Sequence, residues 1–166
     1  MSFPKNVADA VRAGYDQQHE LLEWRVVKKT SSAFTGGTAN AHGDHDGTGD
    51  PYTIFTVTGD VIIKAIWGIV NTTLVGAATI EVGTASNTAK LLAQVSNATT
   101  LADGDVWTDT GTEANVDIGG TSGALAFIND GADVIETLAS DNVTAGQIDY
   151  YVIWAPAEEN GSVVAG

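Results

Sequence analysis

The stretch YTIFTVTGDVIIKAIWGIVN, residues 52–71, carries the densest apolar patterning in the chain. Tyr52–Thr58 alternates aromatic and β-branched residues with threonine, which suits a pleated, half-buried surface. Gly59-Asp60 interrupts it, and Val61–Val70 then runs almost wholly apolar. A regular strand there puts Val61, Ile63, Ala65, Trp67 and Ile69 on one face and Ile62, Lys64, Ile66, Gly68 and Val70 on the other. Both faces are apolar enough to be covered. Lys64 is the one charge in the run and is expected at a rim or in a subunit contact.

Downstream, the pattern keeps a period of two. Ala78, Ile80 and Val82 point inward, with Thr79 and Glu81 outward. Thr88–Val95 fits a strand or a short helix. Val106–Thr108, Ala114–Ile118, Ala124–Ile128 and Asp133–Leu138 read as further short strands. In Gln147–Ala155, Ile148, Tyr150, Val152 and Trp154 share one face, and Asp149, Tyr151 and Ile153 the other. Gly-rich and Asp-rich turns separate these segments at the spacing of sandwiches and barrels. The expected fold is all-β: a β-sandwich of jelly-roll type with an N-terminal arm. The sandwich body is placed at residues 52–156, with 157–166 as a loose C-terminal tail.

Two segments stand apart. Residues 1–30 are expected to form an arm, helical over Asn6–Glu23 and then extended. Its apolar patch, Leu21, Leu22, Trp24, Val26 and Val27, lies beside Arg25, Lys28 and Lys29. Leu21, Leu22, Trp24, Arg25, Val26, Lys28 and Lys29 are the candidate partner-binding residues. The alternative is that Leu21–Val27 forms the first strand of the body. Residues 31–51, SSAFTGGTANAHGDHDGTGDP, are a Gly/Asp-rich loop long enough to be functional or unstructured.

Composition sharpens this outline. The 166 residues have a net charge of −14 and no cysteine. A disulfide framework and thiolate metal sites are therefore excluded. Residues 1–30 sum to +1, while the remainder sets Lys64 and Lys90 against 17 acids, giving −15. So acidic a body repels phosphate, so direct nucleic-acid binding is not expected. No apolar run reaches the length of a membrane span, and MSFPKNVADAVRAG lacks a signal-peptide core. The expectation is a protein made in the cytoplasm, with no membrane partner.

Candidate chemistry is sparse. His42, Asp44, His45, Asp46 and Asp50 cluster in the loop, and Asp44, Asp46 and Asp50 are weak candidates for a divalent cation. Thr48 stands at the fifth position and Phe55 at the twelfth, so the calcium-loop pattern fails. A high-affinity metal site is not expected. Gly-x-Ser-x-Gly, a phosphate-binding lysine loop and His-Glu-x-x-His are all absent. The expectation is a non-enzyme without cofactor. Trp67, Trp107, Trp154, Tyr150 and Tyr151 could form a sugar platform, although aromatics among Ile and Val more often pack in a core.

The runs FTVTGDVIIKAIWGIVNT, GAATIEVGTASNTAKL and SDNVTAGQIDYYVIWAPAEENGSV, together covering roughly Thr53 to Val163, give the chain a texture that resembles the head decoration, or cement, proteins of tailed bacteriophages. The resemblance is one of pattern, without a motif that transfers residue by residue. It implies a β-rich homotrimer on the capsid exterior of the virion, bracing neighbouring major capsid protein subunits. A phage tail, baseplate or fibre component and a carbohydrate-binding sandwich are the alternatives.

Overall fold

The computed structural model describes residues 23–109, 111–113, 126–128 and 131–166. These form eleven strands: β1 (Arg25–Thr30), β2 (Tyr52–Thr58), β3 (Val61–Val75), β4 (Thr79–Thr84), β5 (Asn87–Val95), β6 (Val106–Thr108), β7 (Gly111–Glu113), β8 (Ala126–Ile128), β9 (Val134–Ala139), β10 (Ala145–Pro156) and β11 (Ser162–Ala165). The first sheet runs β1-β10-β3-β6-β7, with β8 also paired to β3. The second runs β11-β2-β9-β4-β5. All pairings are antiparallel. The two sheets pack into a β-sandwich, as the strand pattern predicts. The expected strand at Ala114–Ile118 and the helix over Asn6–Glu23, bar its last residue, lie outside the described residues.

β3 is the spine of the first sheet. It pairs with β10 along its length on one side and with β6 and β8 on the other. Gly59-Asp60 is not a hairpin turn, because β2 and β3 belong to different sheets. It is a corner at which the chain crosses the sandwich.

The core fills the space between the sheets. Trp107, Tyr150, Phe55, Ile54, Leu74, Ile80, Leu92, Leu101 and Ile148 are fully buried there. The Trp107 indole N–H donates to the Ala93 carbonyl at 2.8 Å, tying β6 of one sheet to β5 of the other. Ala78, Ile80 and Val82 are buried while Thr79 and Glu81 are partly exposed, as their alternation predicts. The β10 alternation holds in the same way: Ile148, Tyr150, Val152 and Trp154 all face the core.

Three expectations need correction. The first concerns the faces of β3. Trp154 pairs with Ile63, but Ile153 pairs with Ala65, so Lys64 is an extra residue on β3. Such a bulge reverses the alternation that follows it. Val61 and Ile63 point inward, then Ile66, Gly68 and Val70 do, and Trp67 and Ile69 turn to the outer face. The second correction concerns the arm. Arg25–Thr30 is an edge strand of the body, paired along its whole length with β10. The body therefore begins at least at Arg25, not at residue 52. The third concerns the tail. Ser162–Ala165 pairs with β2, and Val163 is buried in the core.

Two predictions follow from these placements. Trp154→Ala should cost about 3–5 kcal/mol, the range for deleting a large buried aromatic. Trp67→Ala, on the outer face of the neighbouring strand, should cost about 1 kcal/mol, the value of an exposed aromatic pair. Urea titrations of both variants check the contrast. At the C-terminus, Val163→Asp would bury an unpaired carboxylate and should cost on the order of 3 kcal/mol or more. Val164→Asp, at an exposed position of the same strand, should stay within about 0.5 kcal/mol. Thermal melts of the pair measure this.

Candidate functional site

Two places concentrate side-chain chemistry: the outer face of the first sheet and the end of the sandwich closed by the 31–51 loop.

The outer face follows from the register of β1, β10 and β3. Val26 lies beside Ile153, which lies beside Ala65. Lys28, Tyr151 and Trp67 form the next row, and Thr30, Asp149 and Ile69 the third. The Trp67 and Tyr151 rings are parallel within 3°, with centroids 5.3 Å apart. Val26 is 63% exposed, and Trp24, just before β1, is 38% exposed. Two cations, Lys28 and Lys64, border this apolar strip. The Lys28 ammonium lies 5.4 Å from the Tyr151 centroid and 2.6 Å from Asp149 Oδ2. The Lys64 ammonium lies 5.2 Å from the Trp24 centroid, so the bulge that turns Trp67 outward also delivers a cation to the same face. The Arg25 guanidinium stands 5.3 Å from the Trp154 ring at the strand end. Burial would raise Asp149, but hydrogen bonds with Lys28, Thr30 and Asn71 and the Lys28 charge together more than offset that and hold the carboxyl below the usual range. The hydrogen bond with Asp149 raises Lys28.

The candidate partner-binding residues divide accordingly. Leu21 and Leu22 lie outside the described residues. Trp24, Val26 and Lys28 belong to the outer face. Arg25 packs on Trp154, and Lys29 turns toward its own fold: its ammonium donates to the Gly166 carbonyl and lies 5.6 Å from the Tyr52 centroid. The alternation set Tyr151 and Ile153 apart from the core face of β10, but it missed Trp67 and Ile69 as outer-face residues, because no run of types announces an inserted residue.

The 31–51 loop is closely packed rather than free. Phe34, Ser31 and His42 are buried. Phe34 N–H donates to the Gly146 carbonyl, Thr35 N–H to His42 and Gly36 N–H to Val143. A Cβ at Gly36 would lie 2.1 Å from the Gly43 carbonyl oxygen, and Gly43 has φ +102°, so both positions need glycine for this close approach. The result sets the His42 ring between Phe34 and Tyr52, with centroids 4.1 and 4.0 Å away.

His42 is held at both nitrogens. Nδ1 is 3.0 Å from the Ser32 carbonyl, and Nε2 is 2.9 Å from Glu136 Oε1 on β9. Glu136 is 0% exposed, and its second oxygen accepts from the Tyr150 hydroxyl on β10. Gly68 on β3 makes room for Tyr150, since a Cβ there would lie 3.3 Å from its ring. The loop, β9 of one sheet and β10 of the other therefore meet at one buried carboxyl. Burial lowers the His42 pKa, but the Glu136 hydrogen bond and charge outweigh it and the net shift is upward.

The three aspartates weighed as cation ligands serve other ends. Asp44 Oδ2 accepts from Asn40 N–H at 2.7 Å, Asp46 lies 3.3 Å from His45, and Asp50 Oδ1 accepts from Leu138 N–H at 3.0 Å. Among the described residues no group of three or more His, Asp or Glu is placed to hold a metal ion. Burial pushes Asp50 up to about 6. His42 was visible in the sequence, but Glu136 and Tyr150 were not. The one available signal was a lone carboxylate inside the apolar run VIETL.

No family model matches the chain, and neither the curated proteins nor the solved structures contain a match to it.

Proposed function

We propose that this chain is a structural virion protein of a tailed bacteriophage, which decorates the capsid exterior and braces neighbouring major capsid protein subunits. The observation that carries this reading is the outer face of β1, β10 and β3. It presents Val26, Trp67, Tyr151 and Ile153 beside Lys28 and Lys64 on a chain whose net charge is −14. Apolar area supplies association energy at roughly 25 cal/mol per Å² before entropy losses. Bordering cations steer encounter with an acidic partner more than they add affinity. A bracing protein needs no catalytic centre, and the acidity suits a position outside the shell, away from packaged DNA.

On this reading the chain assembles as a homotrimer after synthesis in the host cytoplasm, and the jelly-roll winding of the sandwich belongs to the same proposal. On the same proposal, residues 1–24 contribute to attachment. A carbohydrate-binding sandwich is the second reading, favoured by one observation, the partly exposed Trp67–Tyr151 pair.

The test is to locate the chain in particles of the virus that encodes it and to measure binding to capsids stripped of it. Val26→Asp changes an exposed edge residue and should leave thermal stability nearly unchanged. It should weaken capsid binding at least about tenfold, the effect of roughly 1.4 kcal/mol. Deleting residues 1–20 should weaken it further. Labelling on tails alone would favour the tail reading. Glycan binding by a monomer, lost in Trp67→Ala, would favour the carbohydrate reading.

A further inference from the structure

We propose that the 31–51 loop is a proton-dependent clasp, closed by one proton shared between His42 and Glu136 and loosened when that proton is lost. This inference is independent of the capsid reading, since it concerns how the loop is held and not what the chain binds.

The argument starts from which atoms can donate. The Ser32 carbonyl only accepts, so His42 Nδ1, 3.0 Å away, must carry a hydrogen. Nε2 faces a carboxyl oxygen at 2.9 Å. If Glu136 is ionised, Nε2 must also be protonated. If Nε2 is bare, Glu136 must be the acid. Either arrangement places one proton between them. Without it, a lone pair faces a carboxylate inside the fold, where burial leaves the repulsion poorly screened. The Tyr150 hydroxyl occupies the other carboxyl oxygen, so Glu136 cannot turn away without breaking that bond as well.

The surroundings contain few groups that could take over. Tyr52 on β2 stacks on His42, with the Lys29 ammonium of β1 over its ring. Asp50, at the end of the loop, is the other acid whose charge reaches His42, and it also senses Glu136 and His45. No cation on a neighbouring described strand bonds to Glu136. The proton is the counter-charge.

The direction with pH follows from linkage. In an unfolded chain at pH above about 6.5, the imidazole is neutral and the carboxyl ionised. Folding then takes up a proton. The His42 contribution to stability is complete below pH 6.5 and falls as pH rises toward the folded His42 value, which lies higher. Asp50 acts in the same sense lower down. Its folded value is about 6 against 3.8, so its contribution is complete below 3.8 and is lost as pH rises to about 6. The clasp is tightest in mild acid. It links the two sheets, because Glu136 sits on β9, Tyr150 on β10, and Gly36 and Gly43 bond to Val143 between them. Opening it exposes the stacked Phe34, His42 and Tyr52 rings.

The test uses the full chain and Glu136→Gln. A glutamine amide can donate to bare Nε2 while its oxygen accepts from Tyr150, so the contacts survive without the shared proton. The wild-type folding constant should fall by up to about tenfold per pH unit above pH 6.5. In Glu136→Gln that slope should vanish, while Asp50→Asn should flatten only the region below about pH 6. Hydrogen exchange should show the Thr35, Gly36 and Val143 amides losing protection between pH 6 and 8.5, relative to core amides of β3. Should the glutamine variant fail to fold, the wild-type ring decides by nitrogen NMR. Nδ1–H retained at pH 7, with a His42 midpoint above 6.5, supports the clasp. A midpoint at or below 6.5, a flat wild-type profile above that pH, or an unchanged slope in Glu136→Gln overturns it.

Discussion

The pairing of β3 with β10, and the extra residue at Lys64 within it, sets almost everything else in this molecule. Lys64 has no counterpart on β10, because Trp154 pairs with Ile63 and Ile153 with Ala65. An antiparallel ladder with a period of two cannot absorb one residue without reversing the faces beyond it. The consequence is a strand that gives Val61 and Ile63 to the core, then Ile66 and Val70, and reserves Trp67 and Ile69 for the outside. Had the alternation continued, Trp67 and Ile69 would have joined Ile63 in the core, and Ile66 and Val70 would have faced out. The charged residue at the bulge lies at the outer surface beside Trp24, so no charge is buried at the bend.

Much of the fold was legible, for a physical reason. Where a strand is regular, burial repeats every second residue, and Ala78–Val82 and Tyr150–Trp154 show it. Three kinds of information were not in the local pattern. A bulge leaves no compositional mark, so the faces of β3 could not be read. Edge strands need not alternate strongly, so the lysines of β1 resembled an arm and the short SVVA of β11 a tail. Lysine on an edge strand is itself a common guard against further pairing. Finally, contacts between distant residues cannot be inferred from one stretch. His42 meets Glu136 across 94 positions, and nothing near either residue announces the other.

The two chemically active places divide the molecule's work. The outer face is apolar, aromatic and locally cationic, and it supports the proposed role as an attachment surface. The loop end is buried and closed on itself: one carboxyl receives His42 from the loop and Tyr150 from the first sheet while sitting on the second. With no disulfide available, such a polar junction joins the sheets in a way apolar packing cannot, since each partner must be present in one geometry. The same requirement makes it sensitive to protons. The attachment proposal depends on what the outer strands display, and the clasp on what the loop conceals, so either can stand if the other fails.

The central claim, that Lys64 reverses the faces of β3, can be measured directly because the chain contains no cysteine. Single cysteines placed at Ile66, Trp67, Ile69 and Val70 report side-chain exposure through their rate of reaction with a thiol reagent in the native state. The account predicts fast labelling at positions 67 and 69, with labelling at 66 and 70 only upon unfolding. Protection at 67 and 69 with rapid reaction at 66 and 70 would mean that the alternation runs unbroken from Val61, and would contradict it.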